Sequence, residues 1–276
     1  MTRPRGIAVA VSDLLADDDV RRRVEPFADA FELRDRHGPM AFETPAEVLF
    51  HSDQNLLAPL DVAAIERRVG RWMAGGQLAL VSLHALSCYT APVLEGRMFQ
   101  PGGRRMDAAE MFEHACRNAD ALARTLGGVS IAVENNNYLP SPAYDVIAEP
   151  AFIARVVHAS GASFLLDLAH AAISAQHLEV AFDRYLAELP LDRVAQVHLA
   201  GCGRHGEVWT DDHSEPGDAE WATLAALLPD LPALRFVTLE YYTEADRLVR
   251  LHEQLAALLE RGAVPVGKTH GRGVTQ

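Results

Sequence analysis

Cysteine is scarce in this 276-residue chain, and the three that occur, Cys88, Cys116 and Cys202, have no paired spacing. They give no disulfide framework, and a reducing cytoplasm is the expected compartment. Long apolar runs are missing too: none approaches the roughly 20 residues that cross a bilayer, so no membrane segment is expected. Met1-Thr2-Arg3-Pro4-Arg5 leads straight into the first apolar run, which argues against a cleavable signal. Basic charge is outweighed, with 25 Lys and Arg against 38 Asp and Glu and a net charge of −13. Capture of a nucleic-acid backbone uses the opposite balance. The expected partner is therefore a small molecule, a peptide or another protein, and not nucleic acid. Internal repeats and low-complexity segments are absent, while 49% hydrophobic residues allow a sizeable core.

Against these absences stands a repeated pattern. Six short apolar runs each end in an imidazole or a carboxylate: Val48–Phe50 before His51, Leu78–Leu83 before His84, and Val129–Val133 before Glu134. Ser163–Leu166 precedes Asp167, Val194–Val197 precedes His198, and Phe236–Leu239 precedes Glu240. Continuous apolar runs are the signature of parallel strands buried on both faces. With Ile7–Ser12 and Ala30–Leu33 they make eight strands. Helical patterns fall between them at Asp13–Val24, Asp61–Ala74, Asp107–Leu126, Pro150–Ala159, Leu178–Leu186, Glu220–Leu228 and Glu244–Glu260. Asp107 has Glu110 at the capping-box position, and Gly127-Gly128 ends that helix. This alternation, with no break in composition, predicts an α/β fold: a single (β/α)8 TIM barrel over 1–265, followed by a loose tail at 266–276.

In such a barrel the active site lies at the strands' C-terminal mouth, where every polar ending falls. Three further candidates lie nearby. His170 follows Asp167 by three residues as the chain turns into the next loop, and Asp211 and His213 are two apart, on one side of an extended segment. The nine groups are too many for one ion and suit two or three ions sharing bridging carboxylates. Nitrogen and oxygen donors without thiolate favour iron, zinc or manganese. Taken singly, a strand-end His is commonly a hydrogen-bonded structural residue, and a strand-end carboxylate commonly caps the next helix. His114, His158, His177 and His252 lie in or beside helical patterns and read as surface residues, and Asp212 and Glu215 as solvated loop charges. Coincidence of all nine on one rim is what points to a metal site.

The residues and their order resemble the multinuclear non-heme iron-dependent oxidative enzymes, a family that includes the methanobactin-synthesis oxidase and belongs to the xylose-isomerase-like barrels. The resemblance runs from about Val48 to Tyr241. It is carried by Val133-Glu134-Asn135-Asn136-Asn137-Tyr138, by Leu165 to Ala175, by Gln196-Val197-His198-Leu199-Ala200-Gly201, by Asp211-x-His213-x-x-Pro216 with Trp221, and by Leu239-Glu240-Tyr241. Two positions depart from it. Leu83 stands where the family's Ser-Glu-His has Glu, and His170 stands where Asn is usual. A His there is typical of the related endonuclease IV-like zinc phosphodiesterases.

The resemblance implies three groupings: His51 and His84 with bridging Glu134; Glu134, Asp167, His198 and Glu240 as the catalytic set; and His170, Asp211 and His213. It further implies two or three iron ions of mixed Fe(II)/Fe(III) valence, with zinc or manganese as alternatives, and O2 as co-substrate. The substrate implied is a cysteine-containing, ribosomally made precursor peptide, presented with a small leader-binding partner protein. Asn135, Asn137, Tyr138, Arg204 and His205 are the candidate substrate contacts. The rival readings are a trinuclear zinc phosphodiesterase, a sugar isomerase or epimerase, which is disfavoured by the many His, and a non-catalytic metal-binding subunit.

Overall fold

A computed structural model describes residues 5–35 and 43–262. The expected tail at 266–276 lies outside the described residues. The chain begins with β1 (Gly6–Ala10), α1 (Asp18–Val24), β2 (Ala30–Arg34), β3 (Glu47–Asn55), α2 (Val62–Ala74) and β4 (Leu78–His84). A short hairpin, β5 (Val93–Glu95) and β6 (Met98–Gln100), precedes α3 (Ala108–Thr125). Then come β7 (Ser130–Glu134), α4 (Pro150–Ser160), β8 (Ser163–Asp167), α5 (Leu168–His177), α6 (Phe182–Ala187) and β9 (Val194–Leu199). A second hairpin, β10 (Gly201–His205) and β11 (Val208–Ser214), leads to α7 (Asp218–Leu227), β12 (Phe236–Leu239) and α8 (Ala245–Gly262).

Eight strands close into a barrel in the order β1-β12-β9-β8-β7-β4-β3-β2, and each neighbouring pair runs parallel. One residue from each barrel strand forms an interior plug: Ala8, Ala30, Leu49, Leu80, Ala132, Leu165, Ala195 and Phe236, all buried. The larger core lies outside the sheet, where the strands' other faces meet the helices. Side chains alternate along a strand. Two residues beyond the plug, the same inward face therefore carries Glu32, His51, Ser82, Glu134, Asp167 and Thr238. The apolar plug closes the floor, and the next layer upward is polar.

Among the described residues no membrane-crossing helix occurs. The expected helix starts are real caps. Asp61 accepts from the Ala64 N–H at 2.9 Å and Asp107 from that of Glu110 at 2.8 Å. Gly127 and Gly128, at φ 66° and 85°, take the chain out of α3.

Three expectations need correction. His170 sits in the first turn of α5 rather than entering a loop, and the helix expected at Leu178–Leu186 shortens to α6. Leu168–Ala175 is almost entirely buried, so α5 has no polar stripe to give it an amphipathic period. His252 is fully buried within α8, its Nδ1 donating to the Leu248 carbonyl at 2.9 Å, and is not a surface residue.

Candidate metal centre

Strand register brings the polar endings side by side: His51 opposes Ser82, His84 opposes Glu134, and Asp167 and Thr238 flank His198. Glu134 is the hub. Its Oε2 lies 2.6 Å from His84 Nδ1 and 3.3 Å from His51 Nε2, while its Oε1 lies 3.4 Å from His198 Nδ1 and 3.6 Å from His170 Nδ1. Each oxygen faces its own pair of imidazoles, which is how a carboxylate bridges two cations. His51 Nε2 and His84 Nε2 face each other at 2.9 Å, and Ser82 Oγ holds His51 Nδ1 at 2.8 Å.

Asp167 uses its two oxygens differently. Oδ1 accepts from the His170 N–H at 2.7 Å and caps α5, while Oδ2 is buried without a hydrogen-bond partner, 3.9 Å from both His170 Nδ1 and His198 Nδ1. His170 donates Nδ1–H to the Asn135 carbonyl at 2.8 Å. That leaves Nε2 as the nitrogen turned to the mouth, 3.5 Å from Asp211 Oδ2. His213 Nε2 stands 2.9 Å from the same Asp211 oxygen and 3.2 Å from Glu240 Oε2. His213 has φ 46°, a left-handed conformation that costs a non-glycine residue energy and that Val146 and Glu179 also adopt. Glu240 Oε1 returns to His198 Nδ1 at 3.3 Å. All nine expected groups thus join one chain of contacts at one mouth.

A bound cation fits this set. Asp167 Oδ2 and His198 Nδ1 are buried with no hydrogen-bond partner, and both belong to a group able to converge on one cation with Glu134. Groups whose ligand atoms lie within 4.8 Å of one another are His51, Asp53 and His84; Glu32, His198 and Glu240; Glu134, Asp167 and His198; and Asp211, His213 and Glu240. Burying several carboxylates together is costly unless cations balance them.

Electrostatics carry the same imprint. Burial opposes ionisation of Glu134, but His84 and His51 hold it well below the carboxylate range. Burial pushes Asp167 up, reinforced by the Asp211 and Glu134 carboxylates. Burial opposes the charge on His170, yet Asp167, Asp211 and Glu134 drive it up to about 10; Glu32 and Glu134 likewise raise His198 to about 9. These protons occupy places where coordination would put a metal.

Several important groups escaped the sequence reading. Glu32 and Arg34 are buried on β2, and Arg34 pairs with both Glu32 and Glu240. A charged residue inside a strand buried on both faces was the available signal. Asp53, two residues past His51, was also missed, as was Arg97. The Arg97 guanidinium joins the β5–β6 turn to the second hairpin through Asp212 Oδ1 at 2.5 Å, so Asp212 is a bonded residue rather than a solvated charge. Among the expected substrate contacts, Asn135 departs from expectation. It is fully buried, and its amide donates to the Asp167 carbonyl and accepts from the Asp167 N–H, both at 2.9 Å. Asn135 therefore locks β7 to β8 and presents no free amide. Asn137 and Tyr138 are half-buried beside the mouth, with Tyr138 packed on Tyr144. Arg204 and His205 are exposed at the end of β10, paired with Glu207 and Asp212.

Fold and donor set together define a (β/α)8 barrel with several candidate metal-binding groups at its mouth. The backbone is similar to that of a xylose isomerase domain containing protein from Salmonella typhimurium LT2, with TM-score 0.66 and 13% identity over 94% of this chain and 99% of that one. It is also similar to endonuclease IV from Thermus thermophilus, with TM-score 0.57 and 18% identity over 94% and 100%. Identities this low speak for fold alone. Residues 102–260 match the family model described as RiPP precursor modification enzyme MbnB/TglH/ChrH, and the chain belongs to that family. The match takes in Glu134, Asp167, His170, His198, Asp211, His213 and Glu240, while His51 and His84 precede it. A UPF0276 protein of Caulobacter vibrioides is 35% identical over 118 residues, 42% of each chain, so the matched segment spans less than half of that relative.

Proposed function

We propose that this protein is a multinuclear iron-dependent, O2-using oxidase that modifies a cysteine-containing, ribosomally made precursor peptide. Family membership supports a peptide substrate. The observation carrying the metal-dependent part is Glu134, whose two oxygens face two separate pairs of imidazoles. His51, His84 and Glu134 would hold one ion, Glu134, Asp167, His198 and Glu240 a second, and His170, Asp211 and His213 a third. Bound iron would supply the Lewis acidity and one-electron chemistry that oxidation of a thiolate-bearing residue by O2 needs.

The chain's own residues supply the rest. The plug of Leu49, Leu80, Leu165 and Phe236 keeps water from entering beneath the site. The His170 Nδ1 bond to Asn135 fixes which nitrogen faces the mouth. His84 and His213 are partly exposed while His51 and His198 are sealed, so the peptide would approach from the His84–His213 side, over Asn137 and Tyr138. Arg204 and His205 are proposed as outer contacts to the peptide or its presenting partner protein.

Anaerobically purified, iron-loaded protein should convert a cysteine-containing precursor peptide on admission of O2, read as a mass change confined to cysteine. A second reading, a zinc phosphodiesterase, is favoured by one observation: His170, rather than an amide, stands opposite Asp211. Phosphodiester cleavage by the zinc-loaded protein, with no peptide change under O2, would establish that reading in place of the first.

A further inference from the structure

Glu32 is fully buried on β2, and its carboxylate accepts from four donors. Oε2 accepts from His198 Nε2 at 2.9 Å, from the Thr238 hydroxyl at 3.2 Å and from the Gln196 amide, while Oε1 accepts from the Arg34 guanidinium at 3.1 Å. An ionised carboxylate can only accept, so the His198 nitrogen facing it must carry a proton. The other nitrogen, Nδ1, is buried without a hydrogen-bond partner and faces Glu134 Oε1 at 3.4 Å, Glu240 Oε1 at 3.3 Å and Asp167 Oδ2 at 3.9 Å.

We infer that Glu32 is a positioning residue: it fixes the tautomer and ring orientation of His198 so that Nδ1 is presented to the inner ion, and it is not itself a ligand. Ring nitrogens opposite a metal are commonly tied to a carboxylate in this way, which makes the ligand more basic and holds its plane. Four donors on two oxygens leave Glu32 little capacity for a cation, although its oxygen lies within reach of one. Arg34 completes the arrangement by spanning Glu32 and Glu240, so that one guanidinium fixes the carboxylate behind His198 and a candidate ligand beside it.

The inference rests on the metal-centre reading, and the test separates the two. Full-length, metal-stripped protein is titrated with cobalt(II) alone, following stoichiometry, affinity and the visible d–d spectrum, with thermal melting as the measure of fold. Glu32→Gln keeps the shape and leaves Arg34 paired with Glu240. It is expected to bind cobalt about 10–100-fold more weakly at one ion, the usual cost of losing the partner behind a metal-bound His, with an altered spectrum and the full stoichiometry at saturation. Thr238→Val removes one donor to Glu32 and should shift affinity the same way by less. His198→Ala should lose an ion outright. Wild-type affinity and spectrum in Glu32→Gln, with an ion missing in His198→Ala, would overturn the positioning role and leave the metal centre standing. A lower melting temperature with unchanged affinity and spectrum would overturn it equally. Wild-type cobalt binding in both variants would remove the metal-centre reading itself. Should Glu32→Gln fail to fold, unchanged affinity in Thr238→Val overturns the role.

Discussion

Asp167 allows a structural role and a metal-binding role to be separated by single substitutions. One oxygen caps α5 and the other lies buried and unbonded toward His198 and His170. Asn is as good a cap as Asp, whereas Ala loses about 1 kcal/mol. For a chain of this size that is about 2–4 °C in melting temperature. Burial, with the Asp211 and Glu134 carboxylates, raises the Asp167 carboxyl, so its ionised form destabilises the metal-free fold at neutral pH. Metal-free Asp167→Asn should therefore melt at or above wild type, and Asp167→Ala below Asp167→Asn by the cap term. In the presence of metal the order changes. Both variants lose a charged donor and should bind at least ~10-fold more weakly, the lower end of what even an indirect partner costs. The assay is differential scanning calorimetry with and without chelator, beside metal content by mass spectrometry. Wild-type metal affinity in Asp167→Asn would show that the carboxylate is a helix cap and nothing more.

Other consequences are as direct. His170 and His198 retain protons to about 10 and about 9 in the metal-free protein: burial opposes their charge, but Asp167, Asp211 and Glu134 together overcome it at His170, as Glu32 and Glu134 do at His198. That stabilisation is complete below the ordinary imidazole value and disappears as pH rises through about 9 and 10. Metal addition at neutral pH in weak buffer should release protons, and affinity should increase as the pH is raised toward the upper of these values; proton-free binding would contradict the assignment. Leu165→Ala opens a hole in the barrel plug and should cost about 2–5 kcal/mol, read from urea unfolding, and an unchanged midpoint would count against the plug. A Cβ on Gly203 would collide with the Asp212 carboxylate. Gly203→Ala should displace Asp212, release the Arg97 link and speed amide exchange across 201–214; wild-type exchange there would refute that link.

Much of the fold was legible because buried parallel strands leave a continuous apolar trace, and each trace ended where the chemistry begins. Candidate ligands on barrel strands, such as His51, Glu134 and His198, were readable from that boundary alone. Alternation decided the remainder and was hidden in short strands. Arg34 lies one residue past the expected end of the second strand at Leu33, and Glu32 stands inside that strand between Phe31 and Leu33, so neither marked a polar ending. Helix α5 was missed because a helix buried on nearly all sides has no polar period. Asn135 misled for a different reason: an amide beside a candidate ligand looks available in sequence, while in the fold both its ends are taken by Asp167. The two hairpins that carry or brace Asp211 and His213 are too short and too polar to leave an apolar trace.

The central claim is that nine side chains share a cluster of iron ions. Anomalous diffraction at the iron edge, from crystals grown without oxygen, tests it most directly. Two or three peaks are predicted, bridged by Glu134 and bounded by His51 on one side and His213 on the other. A structure with no iron peak among these residues, or with a lone ion outside the reach of Glu134, would contradict it.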